Sequence, residues 1–335
     1  MPKPAARGAA ENERPLVAIV DAVDRTLPDL REIEPLARTV QVSNVPELVD
    51  HLDELEIVFA WYFDRPALLD VVPRAPRLRW IQSISAGVEE FARPVLAEHG
   101  VVLTSAAGVY DAGLAESVLG FLVALSARIV EDARLAPGTW PSGGTTLLRG
   151  TTALIVGAGS IGTETGRLLR AAGVRVRGIA RTPRPADAVF ESIRGPDALL
   201  DELARADHIV NVLPRTAGTE RMFDARAFAA MKPTAYFVNI GRGATVDEPA
   251  LIEALEAGRI GGAALDVFEV EPLPAESPLW TMPNVLVSPH RAGDHEDWPR
   301  DVVALFADNL RRYLAGEPLR NVVDVELGYA PGGRS

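Results

Sequence analysis

The chain has 335 residues, 47% of them hydrophobic and 24% charged, the balance of a folded protein large enough for two cores of ordinary size. Its formal net charge of −12 argues against a nucleic-acid partner, whose phosphates call for a basic face. There is no cysteine, which excludes disulfides, thiolate metal sites and cysteine nucleophiles, and no apolar run approaches the length of a membrane span.

Residues 1–14 are rich in Ala, Pro and charge and lack an apolar leader core, so they read as a disordered tail, and the expected location is the cytoplasm. Short apolar runs at 16–20, 57–60, 78–82 and 101–104 read as strands, alternating with helical patterns such as 46–52 and 65–71. This is the rhythm of a parallel α/β sheet. Residues 113–136 then read as one long, largely apolar helix, ended by Pro137-Gly138 and long enough to pass from one domain to another. The alternation restarts with strands expected at 151–156, 174–179, 208–213, 235–240, 263–267 and 285–288. Asp247 caps a helix over 248–257, with Pro249 in its first turn and Gly258 as its left-handed stop. A last amphipathic helix, 297–314, ends at Gly316-Glu317-Pro318.

The strand at 151–156 runs into Gly157-Ala158-Gly159-Ser160-Ile161-Gly162 and a helix over 161–172. Gly157 permits a tight turn, Gly159 lets the backbone approach a pyrophosphate, and Gly162 allows close helix–strand contact. The helix N-terminus adds unpaired N–H groups and a partial positive charge, so dinucleotide binding is the leading reading. Arg242, Glu271 and His290 lie near predicted strand ends, where open α/β sheets gather ligands. A guanidinium at Arg242 can hold a carboxylate through two parallel hydrogen bonds, and Glu271 can orient the His290 imidazole and raise its pKa. Beside a nicotinamide, such a set suits reduction of a 2-oxo acid. Taken singly, the same residues also read as a surface arginine, a loop acid and a structural histidine.

The chain resembles the D-isomer-specific 2-hydroxyacid dehydrogenases over about 15–324, through Ser85-Ala86-Gly87-Val88-Glu89, Leu114-Ala115-Glu116, the glycine-rich turn, Asn239-Ile240-Gly241-Arg242-Gly243, Ala264-Leu265-Asp266-Val267-Phe268, Glu271-Pro272-Leu273 and Pro289-His290. The resemblance implies an α/β fold of two doubly wound, parallel-sheet (Rossmann- and flavodoxin-like) domains joined by long crossover helices. The substrate-binding domain would take 15–112 plus 295–330 and the dinucleotide-binding domain 113–294, the C-terminal helix returning to pack on the first. It also implies Arg242, Glu271 and His290 as the catalytic set, and Asp266, Leu213 and Pro214 as cofactor contacts. The backbone of Ser85, Ala86 and Gly87 would receive the substrate carboxylate, in a homodimer with no nucleic-acid or membrane partner.

Where NAD-preferring members carry an acid at the end of the second nucleotide-domain strand, this chain has Ala180, followed by Arg181, Thr182, Pro183 and Arg184. Arg181, Thr182 and Arg184 suit a 2′-phosphate that an aspartate would repel, which favours NADPH over NADH. With Glu276-Ser277-Pro278-Leu279-Trp280, this segment is most similar to the glyoxylate/hydroxypyruvate reductase branch. Trp61-Tyr62-Phe63 stands either as a substrate-facing group, with Trp61 a candidate contact, or as a packed aromatic cluster. The run Asp294-His295-Glu296-Asp297 lacks metal-ligand spacing and reads as acids at a helix start, so no metal is expected. The alternative from another class is a dinucleotide-sensing module, since relatives of this fold act as redox-responsive corepressors; turnover separates the two.

Overall fold

Alternation of apolar strands with helices produces two parallel sheets, each in its own unit of the chain. The computed structural model describes residues 14–21, 29–62, 65–91 and 93–330; all but Arg14 of the tail expected over 1–14, and Phe63, lie outside them. Contacts divide the chain into a first unit, up to Val109 and again from Glu296, and a second from Tyr110 to His295.

The first unit holds β1 (Leu16–Asp21), β2 (Arg38–Val42), β3 (Leu55–Tyr62), β4 (Trp80–Ser83) and β5 (Val102–Thr104). Its helices in this part are α1 (Arg65–Val71) and α2 (Pro94–Glu98). The strands pair in parallel in the order β2-β1-β3-β4-β5. Strand β2 is an addition to the sequence reading. It lies at the sheet edge, only Val42 in it is buried, and Arg38 and Gln41 break the apolar run that would announce a strand.

The second unit opens with α3 (Asp111–Ser126) and α4 (Ile129–Asp132), which replace the single helix expected over 113–136. The break has a local cause. The Ser126 carbonyl accepts the Thr146 N–H at 2.9 Å, and Arg128 turns left-handed at φ 60°, which folds Val130 into the core that holds Leu122 and Leu125. Helix α3 therefore lies inside the second unit and ends there. Beyond it come β6 (Thr152–Val156), α5 (Ser160–Ala171), β7 (Arg175–Ile179), β8 (Ile193–Arg194), α6 (Leu199–Leu203), β9 (His208–Asn211), α7 (Ala225–Ala230), β10 (Tyr236–Asn239), α8 (Glu248–Glu256), β11 (Gly262–Leu265) and β12 (Val285–Val287). The seven strands are parallel in the order β12-β11-β10-β9-β6-β7-β8, which reverses direction between β6 and β9. Both faces are covered, as the unbroken apolar runs require. Leu154 and Val156 of β6, Ile209 of β9 and Phe237 of β10 enter one core; Ala153, Ile155, Val210 and Val238 enter the other.

Helix α9 (Trp298–Ala315) returns to the first unit. Phe306 stacks on Phe59 at 4.3 Å between ring centroids, and fully burying such a ring stabilises by roughly 1.5–3 kcal/mol. The buried Asn309 amide donates to Gln82 Oε1 at 3.2 Å, and its oxygen accepts the Arg320 N–H at 2.7 Å, so the helix is fixed in register as well as by apolar area. Gly316 ends it at φ 69°, as expected. Among the described residues, no helix is long and apolar enough to cross a membrane.

Candidate active site

The crevice at the β6/β9 reversal begins with the glycine turn. Gly157 has φ +109°, and a Cβ there would stand 2.8 Å from the Val212 carbonyl oxygen. A Cβ on Gly162 would stand 2.2 Å from the Gly157 oxygen, so strand, turn and helix fit only without these side chains. Gly159 is the N-cap of α5 without a side-chain cap, and a Cβ there would meet nothing within 4 Å. Open space over an uncapped helix start is what a dinucleotide pyrophosphate needs, and this cradle fits one. Ala158 is buried and Ile161 packs on the core, while the Ser160 hydroxyl donates to Asp111. Across the crevice, the Leu213 N–H donates to Asn211 Oδ1 at 3.2 Å, and the Pro214 carbonyl accepts the Thr219 hydroxyl at 2.6 Å.

At the end of β7, Arg181, Thr182 and Arg184 are all exposed. Arg184 has structural work: it donates to the Ala158 carbonyl at 3.0 Å and lies 5.9 Å from the Phe190 ring centroid.

Arg242 is carried by a turn pinned from below. The buried Asn211 amide donates to Asn239 Oδ1 at 2.9 Å and to Thr245 Oγ1 at 2.7 Å; Asn239 Oδ1 accepts the Gly241 N–H at 3.1 Å, and Thr245 Oγ1 donates to the Arg242 carbonyl at 2.7 Å. Gly243 lies so close to the Phe268–Glu269 peptide that a Cβ would come within 1.8 Å of the Phe268 oxygen. Asn211 and Thr245 escaped the sequence reading. The signal was there, an asparagine inside a buried parallel strand, since buried amides are kept only where every bond is met.

The loop after β11 carries Glu271. Its Oε1 accepts the Phe268 N–H at 2.9 Å and its Oε2 accepts from His290 Nδ1 at 2.6 Å. This bond raises the His290 pKa, against burial and the Arg242 charge. Burial would push the Glu271 carboxyl up, but hydrogen bonds from His290 and Phe268, with the charges of His290 and Arg242, outweigh it and hold it below the usual range. Arg242, Glu271 and His290 thus act on one another electrostatically within one unit. With Nδ1 on the carboxylate and 53% of the imidazole side chain exposed, Nε2 is the nitrogen left for a reacting group.

Asp266 is bonded to the turn that carries His290. Its carboxylate is buried and accepts from the Ser288 hydroxyl, from the Arg291 N–H at 3.0 Å and from the Ala292 N–H at 3.0 Å. It therefore braces the turn in which His290 sits at φ 49°, a left-handed conformation uncommon outside glycine. Oδ1 takes three of these bonds, while Oδ2 accepts, among the described residues, only from the Ala292 N–H, at 3.2 Å.

Ser85, Ala86 and Gly87 follow β4 in the first unit, where strand ends collect ligands. The Ser85 carbonyl accepts the Ala106 N–H at 3.0 Å, whereas the Ala86 and Gly87 N–H groups bond to no other described residue. Trp61 is 2% exposed, edge-on to Phe59 and stacked on Trp298 at 5.5 Å, which makes it part of a packed aromatic cluster and not a substrate-facing ring. Among the described residues, no three His, Asp or Glu side chains converge as a metal site.

Residues 119–292 match the family model described as D-isomer specific 2-hydroxyacid dehydrogenase, NAD binding domain. Glyoxylate/hydroxypyruvate reductase B of Pectobacterium carotovorum subsp. carotovorum is 36% identical over 265 residues, which cover 77% of this chain and 82% of that protein. A D-isomer specific 2-hydroxyacid dehydrogenase family protein from Aeromonas salmonicida superposes with a TM-score of 0.76 at 32% identity, covering 93% of this chain and 99% of the other. The NADPH-dependent glyoxylate/hydroxypyruvate reductase of Sinorhizobium meliloti, solved with NADP and sulfate, superposes with a TM-score of 0.80 at 28% identity, covering 95% and 100%.

Proposed function

The chain belongs to the D-isomer specific 2-hydroxyacid dehydrogenases, and we propose that within this family it is an NADPH-preferring reductase of small 2-oxo acids. It catalyses NAD(P)H-dependent reduction of a 2-oxo acid to a 2-hydroxy acid. The observation that carries this reading is the 2.6 Å bond between His290 Nδ1 and Glu271 Oε2 beside Arg242.

The glycine turn and the start of α5 hold the cofactor pyrophosphate, and Arg181 and Thr182 hold a 2′-phosphate. When bound, the reduced nicotinamide supplies the hydride. The second unit in this reading is the dinucleotide-binding domain and the first the substrate-binding domain. Arg242 pairs with the substrate carboxylate. His290, protonated, gives its Nε2 proton to the carbonyl oxygen, while Glu271 stabilises the imidazolium until that proton leaves. Because the Glu271 bond raises the His290 pKa, the proton donor survives to higher pH, and reduction fails as pH rises through that value. The names of the relatives and the burial of Trp61 both favour a small side group such as those of glyoxylate and hydroxypyruvate. The homodimer implied by the family resemblance is part of this proposal.

The test follows absorbance of NADPH and NADH with glyoxylate, hydroxypyruvate and phenylpyruvate. Faster oxidation of NADPH, with the two small acids ahead of phenylpyruvate, is expected. Tight cofactor binding with no turnover on any of the three would replace the reductase by a dinucleotide sensor.

A further inference from the structure

The Glu271–His290 couple depends on a loop, 268–271, that enters no strand or helix, so something must hold its backbone. Glu271 itself takes the Phe268 N–H. The next N–H, that of Glu269, is taken by Glu248 Oε2 at 3.1 Å, from the first turn of α8. The Glu269 carboxylate is held from the other side by Arg221 Nη2 at 2.9 Å. Arg221 in turn lies 3.8 Å from Asp247, the N-cap of α8, and its own N–H donates to the Ala244 carbonyl at 2.9 Å. The Arg242 turn runs directly into these partners: Ala244 is in the 3-10 turn Gly243–Thr245, and Gly243 packs against the Phe268 carbonyl. A half-buried carboxylate on a backbone N–H and an arginine bridging two acids thus join the loop of the proton couple to the turn of the substrate-binding arginine.

We propose that Glu248, with Arg221 as its counterpart, is a positioning residue that clamps the Phe268–Glu269 peptide and so keeps Glu271 in register with His290. Neither side chain meets substrate. Their effect passes through Glu271, and the inference rests on the reading of Glu271 and His290 given above. The charged groups that face His290 are Glu271, Arg242 and Asp266; Glu269 faces Glu248 directly, with Asp247 joined through Arg221. Loosening the peptide lengthens the Glu271–His290 bond. The His290 pKa then drops back toward its ordinary value, and the upper limb of the reduction profile moves to lower pH.

The experiment is a double-mutant cycle between Glu248→Ala and Glu271→Gln, read as kcat, KM and the upper pH limb of NADPH-dependent reduction. Glu248→Ala is expected to lower kcat by roughly ten-fold, the size of effect a displaced catalytic group gives, with the KM for NADPH nearly constant and the limb moved downward. Glu248→Gln, which keeps an acceptor oxygen for the Glu269 N–H, is expected to recover most of the rate and the limb. In the Glu271→Gln background Glu248→Ala should add little, since the group it positions is already lost. Effects that multiply in full, or a limb that stays in place in Glu248→Ala, overturn the clamp. Arg221→Met, on an exposed side chain, probes the opposite jaw without opening the core; a limb moved downward is expected, and a limb unmoved there overturns the clamp even if Glu248→Ala does not fold. If Glu271→Gln itself leaves rate and limb unchanged, the failure belongs to the Glu271–His290 reading instead.

Discussion

Two regions of the second unit, the corner of Arg242, Glu271 and His290 and the edge from Ala180 to Arg184, are built on opposite principles. In the corner a set of fixed hydrogen bonds holds the backbone: Asn211, Asn239 and Thr245 under Arg242, Asp266 under His290, and Phe268 and Glu248 around Glu271. At the edge the side chains are exposed, and Arg184 donates to the glycine turn. The difference follows from the work proposed for each. Proton and hydride transfer demand geometry fixed to a fraction of an ångström, which only satisfied buried groups supply. Telling one phosphate from none needs only charge of the right sign, and exposed arginines provide that without rigidity.

The hardest test of the corner is Arg242→Ala. Removing the cation proposed to hold the substrate carboxylate should cut kcat/KM for a small 2-oxo acid by roughly 10²–10³-fold, with cofactor affinity close to wild type. Arg242→Lys should recover only part of that, because an ammonium cannot pair with both carboxylate oxygens in one plane. A loss of only a few fold in the alanine variant would remove Arg242 from the substrate's side and leave its turn a structural one.

A smaller effect is expected at the edge, from Ala180→Asp combined with Arg181→Ala. The new carboxylate would favour ribose hydroxyls and oppose a 2′-phosphate, so the NADPH/NADH ratio of kcat/KM should fall by roughly ten-fold or more while kcat with the better cofactor is kept. An unchanged ratio would mean that discrimination lies elsewhere. A large loss of kcat with both cofactors would mean that the edge is tied to the corner after all, which would dissolve the contrast.

The same contrast explains what could be read from the sequence. Parallel strands such as β6 and β9 were legible because burial on both faces writes an unbroken apolar run, and the Gly157–Gly162 spacing is dictated by steric contacts that glycine alone permits. Strand β2 was not, since its register is inherited from β1 and two of its five residues, Thr39 and Gln41, are exposed. The turn at Arg128 was not, because an N–H from Thr146 to the Ser126 carbonyl and the burial of Val130 decide it, both set by tertiary packing. Arg242, Glu271 and His290 were legible as chemistry; of the residues that hold them, Asn211 left a signal as a polar residue in a buried strand, whereas Thr245, the bracing bonds of Asp266 and Glu248 became visible only when distant segments met. Trp61 shows the converse: an aromatic tag near a strand end fits a pocket or a core equally well until Trp298, from the far end of the chain, is seen to cover it.

Strand β9 carries a control on all of this, because its two ends hold buried polar groups with different duties. Asn211, at one end, supports the Arg242 turn; His208, at the other, is 2% exposed, stacked beside Tyr236, with its Nδ1 lacking a partner among the described residues. Burial lowers the His208 pKa from 6.5 to about 4, opposed by the Asp207 charge and assisted by Lys232. The unfolded chain therefore binds a proton that the folded chain refuses between these values, and stability falls as pH drops from about 6.5 toward 4, by about 3 kcal/mol in all. Asp207, whose carboxyl is held below its usual range, contributes its own loss only at lower pH. His208→Phe keeps a ring against Tyr236 and has nothing to protonate. Urea midpoints at pH 7, 5.5 and 4.5 should decline less steeply in this variant than in the wild type, while its reductase rate at pH 7 stays within about two-fold, as for a residue outside the bonded corner. Parallel declines would place the acid sensitivity elsewhere, and a collapse of the rate would extend the corner's rigid support along the whole of β9.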